Sequence, residues 1–285
     1  MNKIIYICGV GHNGSTFLDL LLGDSLGVVS TSQLNDLHAR YVPDSKTRMS
    51  DKVWESVLGS LSREEKKSLR KHNLSVLNEK KLPSFIFSRK ARVSYARANK
   101  PLLDRTFAEF PNSSLVDSSK NVSRCLGLLE IEGYEIYVIH LIRDLRSYVS
   151  SCNKRYEEKN QKPKYLFQSL NWVVKNWATT LFVRRRSNHF LQVRYEDFIC
   201  DPASVLEQIS EWSLTDLTET IKTVVDGRNI VIKDKPVFFG NRILSKDEVA
   251  FNPKASNVNE LHYSFWYWLI WGWFAKPYGY RRLKR

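Results

Sequence analysis

Lys3-Ile4-Ile5-Tyr6-Ile7-Cys8-Gly9-Val10 runs directly into Gly11-His12-Asn13-Gly14-Ser15-Thr16, and the architecture is read outward from that junction. The first part is a continuous apolar run. Such runs mark strands buried on both faces, as in parallel sheets, whereas half-exposed strands alternate. From Gly14 the pattern becomes helical, with Phe17, Leu18, Leu21 and Leu22 on one apolar face and Gly23 or Gly27 able to end it. Between strand and helix, glycines let the backbone turn tightly and aim several N–H groups at one point. The start of a helix adds free donors and partial positive charge. The junction therefore reads as a cradle for an anion. Gly11, His12, Asn13, Gly14, Ser15 and Thr16 are its candidate contacts, and Ser15 and Thr16 can add hydroxyl donors.

The rest of the chain repeats this alternation. Leu115-Val116-Asp117 reads as a second strand ending in Ser118-Ser119-Lys120, and residues 135–142 as a third, rich in β-branched side chains. A long helical stretch spans about 163–186, a fourth strand covers 190–193, and Asp201-Pro202 opens a helix through Trp212. Residues 51–100 are charged and helical in pattern, with Ser62 and Glu65 as a cap. These patterns predict an α/β, three-layer P-loop NTPase-like fold, its central parallel sheet flanked by helices. They predict one domain over 1–285, with a helical insertion at about 45–110 lying over the sheet. Ligands of such sheets bind at the carboxyl ends of the strands, where all these motifs fall.

Composition narrows the class. Of 285 residues 42% are hydrophobic, enough for a core and too many for a disordered chain. The net charge of +14 favours anionic partners: nucleotides, nucleic acid, acidic glycans or an anionic membrane surface. The four cysteines form no CxxC pair and are irregularly spaced, which argues against a zinc site and a disulfide framework and for a reducing compartment. The N-terminus leads straight into the first strand, and no apolar run approaches the ~20 residues of a membrane span. The expectation is a cytoplasmic protein with no transmembrane segment. The aromatic stretch at 263–275 reads as a helix closing the core.

The loop spacing is close to G-x-x-x-x-G-K-[ST], but Ser15 stands where the nucleotide-triphosphatase lysine would be. That lysine reaches the β- and γ-phosphates, so its absence counts against a P-loop kinase-like enzyme. Asp117 and Asp144 are the strand-end carboxylates such an enzyme could turn to magnesium. A second alternative is a non-catalytic basic protein that binds polyanions through its charge surplus.

Taken together, the motifs resemble the family of sulfotransferases that use 3′-phosphoadenylyl sulfate (PAPS). His12-Asn13-Gly14-Ser15-Thr16 resembles the family's 5′-phosphosulfate loop, in which a basic residue precedes Ser/Thr-Gly-Ser/Thr-Thr/Ser; here histidine replaces the usual Lys or Arg. Arg143, with Ser151 eight residues on, resembles the 3′-phosphate motif. Val116-Asp117-Ser118-Ser119-Lys120-Asn121 resembles a segment near the reacting sulfate. Arg194-Tyr195-Glu196-Asp197-Phe198 with Asp201-Pro202 resembles a structural segment that ends a strand and starts a helix. Phe239-Gly240-Asn241-Arg242 resembles a late segment on the adenosine 3′-phosphate, and Gly279-Tyr280 the way many members finish.

The resemblance implies sulfuryl transfer from PAPS to a hydroxyl or amine of a glycan, lipid or small metabolite, with no metal and no nucleic acid partner. It implies that the loop holds the 5′-phosphosulfate, that Arg143, Ser151, Gly240, Asn241 and Arg242 hold the 3′-phosphate, and that His12 and Lys120 are catalytic. By position alone, His12, Asp36, His38 and Glu109 are candidate general bases. His140, inside an apolar strand, reads as a core histidine.

Overall fold

The computed structural model describes residues 1–37, 49–232, 235–237, 247–250 and 265–281. Gly240, Asn241, Arg242 and His38 lie outside the described residues.

A five-stranded parallel sheet forms the centre, in the order β2-β3-β1-β4-β5. Its strands are β1 (Asn2–Gly9), β2 (Val28–Ser30), β3 (Ser114–Lys120), β4 (Tyr134–Ile142) and β5 (His189–Arg194). β1 lies between β3 and β4 and pairs with both in parallel, so it is the most enclosed strand, and from Ile4 onward it is buried. Alternation along it divides the core. Ile4, Tyr6 and Cys8 face one layer; Ile5 and Ile7 face the other.

Helices fill both layers. The Ile5 side holds α1 (Ser15–Leu22), which follows the loop, and packs Leu206 and Ile209 of a helix described below. The Ile4 side holds a run of helices between β2 and β3: α2 (Met49–Gly59), α3 (Arg63–Leu77), α4 (Leu82–Phe87) and α5 (Arg89–Glu109). Ser62 and Glu65 form the reciprocal cap at the start of α3 that their spacing predicts. α6 (Val122–Leu128) follows β3 on this side. After β4 come α7 (Leu145–Glu157) and α8 (Tyr165–Ala178), whose last turn continues as a π-helical segment, Thr179–Val183. Then α9 (Tyr195–Cys200), α10 (Pro202–Ser213), α11 (Thr218–Val225) and the aromatic α12 (Phe265–Ala275) complete the chain, with a small antiparallel pair, β6 (Ile230–Val231) and β7 (Glu248–Val249). Among the described residues, no helix is long and apolar enough to cross a membrane.

One difference from the sequence reading concerns the sheet edge. β2 was not foreseen, because three residues carry no period of their own; its pairing with β3 makes it a strand. β3 ends at Lys120, where the sequence reading ends it. Its polar end is held by side chains: Asp19 of α1 accepts from Ser30 and Ser118, each at 2.6 Å.

Candidate active site

Gly9 to Ser15 leaves the carboxyl end of β1 and enters α1 with Gly14 as its first flanking residue. Gly14 has φ 86°, and a Cβ there would stand 2.5 Å from the ring of Tyr195, so the loop passes where only glycine fits. Asn13 is fully buried and holds the loop shape: its Nδ2 donates to the Leu141 carbonyl at 2.8 Å, and its Oδ1 accepts from Ser15 N–H at 3.2 Å. The Ser15 amide is thus used within the loop, and Asn13 supports the cradle from behind. No side chain caps α1, which leaves its first turn facing the loop for an anion. Ser15 is buried and Gly11 lies on open space.

His12 and Lys120 both adopt left-handed backbone, at φ 60° and 62°. Such strain in non-glycine residues gathers at functional sites. Lys120 pairs in register with Cys8 across a bulge between Tyr6 and Cys8, which re-aims the end of β3 toward the loop. Burial lowers its pKa to about 8, although the carboxylates of Asp19, Asp117 and Asp36 oppose that shift. For His12, burial comes first and the cations Arg155, Arg143 and Lys120 add to it, bringing the pKa to about 4. The imidazole is therefore neutral in the free protein at pH 7, set among positive charges.

Arg143 closes the cradle from the β4 side. Its Nη1 donates to the His12 carbonyl at 2.8 Å, its guanidinium lies 4.5 Å from the Tyr195 ring centroid, and its Nε is buried with no partner among the described residues. An unpartnered, buried, charged donor is costly unless an anion accepts from it. Ser151 Oγ lies 3.3 Å from His12 Nδ1. The structure thus gathers Gly11 to Thr16, Lys120, Arg143 and Ser151 at one end of the sheet.

The neighbouring acidic residues have other work. Asp117 is ion-paired with Arg124, at 2.7 Å, and Asp144 with Arg146, at 2.7 Å, while Asp144 also caps α7. Those are the two carboxylates a magnesium-dependent kinase would need. Asp36 is buried near enough for its charge to act on Lys120. Glu109 drops out as a base: it ends α5 just before β3 begins, so it belongs to the opposite end of the sheet, and it accepts from Ser56. His140 is a core histidine, its Nε2 3.0 Å from Asn176 Oδ1.

Two contributors were missed in the sequence. Tyr195 was read as structural, but it carries the Arg143 guanidinium and walls the loop at Gly14. Its neighbour Glu196 does the structural work, accepting from Asp144 N–H at 2.9 Å and Tyr280 Oη at 2.7 Å, which accounts for the Gly-Tyr ending. Arg155 lies one helical turn after Ser151, so the i, i+4 spacing could have flagged it.

The chain matches the model of a sulfotransferase family over residues 5–219. No curated protein sequence matches it. Among the solved structures similar to it, two sulfotransferase domains superpose over nearly the whole chain. The sulfotransferase domain from the Synechococcus PCC 7002 olefin synthase superposes with a TM-score of 0.58 and 20% identity, covering 99% of this chain and 96% of that one. The sulfotransferase domain from the curacin biosynthetic pathway gives 0.58 and 15% identity, covering 99% of each. Since the family match spans well over half its length, the chain belongs to the sulfotransferase family.

Proposed function

We propose that this member of the sulfotransferase family takes the sulfuryl group from PAPS and places it on a hydroxyl or amine. The observation that carries the reading is the meeting of Arg143, with its unpartnered buried Nε, and the uncapped loop from His12 to Thr16. One cradle would hold the 5′-phosphosulfate. Arg143 and Ser151 would grip the 3′-phosphate, the group that separates PAPS from ATP; a guanidinium fork suits it. Gly240, Asn241 and Arg242 are proposed to add to that grip.

In the reaction, an acceptor oxygen or nitrogen forms a bond to sulfur while the bond from sulfur to the bridging oxygen breaks, and 3′,5′-ADP (PAP) leaves. The protein's part is positioning and charge stabilisation. Lys120, mostly protonated at pH 7 with a pKa of about 8, stabilises the sulfate oxygens. His12 acts on the leaving oxygen; the negative charge arriving there raises its pKa from about 4 and lets it carry a proton. Asp36 is our candidate to take the acceptor's proton, since it is buried beside Lys120. The helices at about 45–110 are proposed to cover the acceptor side, where Glu79 pairs with Lys175 at 2.6 Å. The scheme uses no metal, and Asp117 and Asp144 are committed to arginines. All four cysteines are free thiols, as suits the reducing cytoplasm we assign.

Calorimetric titration with PAP, beside ATP with magnesium, tests the reading. Micromolar PAP binding, weakened at least about tenfold by Arg143→Ala and absent for ATP, is the expected result. Equal binding of ATP, or no binding of PAP, sinks it.

A further inference from the structure

We propose that the cavity between α7 and α8 is the acceptor site, and that it takes an acceptor carrying an anionic group as well as the hydroxyl or amine to be sulfated. The inference rests on the sulfuryl-transfer reading and adds the chemical class of the acceptor.

The cavity measures about 390 Å³ and has Gly11 and His12 at its inner end. Ser15, Thr16, Arg143 and Ser151 are absent from its lining, so His12 stands between the nucleotide cradle and this space. The cavity also shares Asn171 and Lys175 with a smaller one, about 60 Å³, that reaches Asn121, the residue after Lys120. His12 thus borders the larger cavity directly, and the smaller one comes within one residue of Lys120 along the chain.

Its charge has one sign. Arg155, Lys159 and Lys175 line it, and among the described residues no carboxylate does. Lys175 is satisfied by Glu79. Arg155 and Lys159 have no ion pair among the described residues, and the charge of Arg155 reaches His12. Two unpaired cations converging on a concave space favour an anion there.

A second, independent feature shows a built site. Gln168 lines the cavity at 3% exposure, and neither its Oε1 nor its Nε2 has a hydrogen-bond partner among the described residues. A buried amide with both ends unpaired is rare, and a ligand's polar group is the partner that removes the anomaly. Tyr148, Tyr156 and Phe167 add aromatic walls, with Phe167 at the exposed mouth. The site therefore suits a molecule with an apolar body, a polar group against Gln168 and an anion against Arg155 and Lys159.

The test uses the full chain saturated with PAP and three probes of one shape: 3-(4-hydroxyphenyl)propionate, its methyl ester and tyramine. The expected order is anion, then ester, then amine. The anion should bind about tenfold tighter than the ester at low salt. Lys159 is exposed, so Lys159→Gln leaves the fold intact; it should cut the anion-to-ester ratio about threefold, and Gln168→Leu should weaken all three probes. Equal binding of the three, or binding of none to the PAP-loaded chain, overturns the proposal. Failure of PAP itself to bind registers in the preceding titration and counts against the sulfotransferase reading instead.

Discussion

His12 is neutral in the free protein, held at a pKa of about 4 by burial and by Arg155, Arg143 and Lys120. Binding an anion must change that. A single negative charge at about 4 Å, in the effective dielectric of a partly buried site, contributes about 4 kcal/mol, or about three pKa units. The bound pKa is then about 7. The sign follows from linkage: the complex binds the extra proton, so affinity rises as pH falls from about 7 toward about 4, tenfold per unit. His12→Gln keeps a hydrogen-bonding side chain and removes the titration. The ratio of PAP affinities, wild type over His12→Gln, is therefore expected to grow about 30-fold from pH 8 to pH 5.5. Taking the ratio cancels the titration of the phosphates themselves, whose second pKa is about 6. Calorimetry at pH 5.5 in buffers of different ionisation enthalpy should also register uptake of about one proton, lost in the variant. A ratio that stays within twofold over this range, or that rises with pH, refutes the assignment of His12 to the phosphosulfate.

Two further changes test the scaffold beneath the site. Arg124 is fully buried and bonds Asp117, Tyr95 (2.6 Å) and Asn99 (3.0 Å). Arg124→Ala strands the Asp117 charge and is expected to cost about 3–5 kcal/mol, read as a lowered urea midpoint at unchanged slope; adding Asp117→Asn should restore part of the loss, because no buried charge is then left unpaired. Gly14→Ala puts a Cβ against Tyr195 and forces a side chain into left-handed backbone. It should cost about 1–2 kcal/mol from the backbone alone. By moving Tyr195 from under Arg143 it should also lower PAP affinity about tenfold or more; a variant with native melting temperature and native PAP affinity would show that the contact is not tight.

What could be read along the chain was what local chemistry encodes. β1 and β4 announce themselves as apolar or β-branched runs because strands enclosed in a parallel sheet are buried on both faces. The loop is legible because a tight turn for an anion needs glycine at fixed offsets from a helix start. Arg143 and Ser151 could be paired by two turns of helix. β2, by contrast, has only three residues and owes its state to β3, 86 positions later at the Val28–Ser114 pairing. Glu109 looked available as a base until the chain direction put it at the far end of the sheet.

The amino-acid sequence by itself determined the strand–loop–helix order, the parallel sheet and the anion cradle, since each rests on periodicities and turn residues within about ten positions. Only the tertiary structure decided how that cradle is charged and completed. Asn13 meets Leu141, Tyr195 meets Arg143 and Gly14, Arg155 neighbours His12, and Gln168 stays buried without a partner among the described residues. These relations join residues far apart in the chain, and burial, which sets the pKa of His12 and Lys120, exists only once the layers have packed.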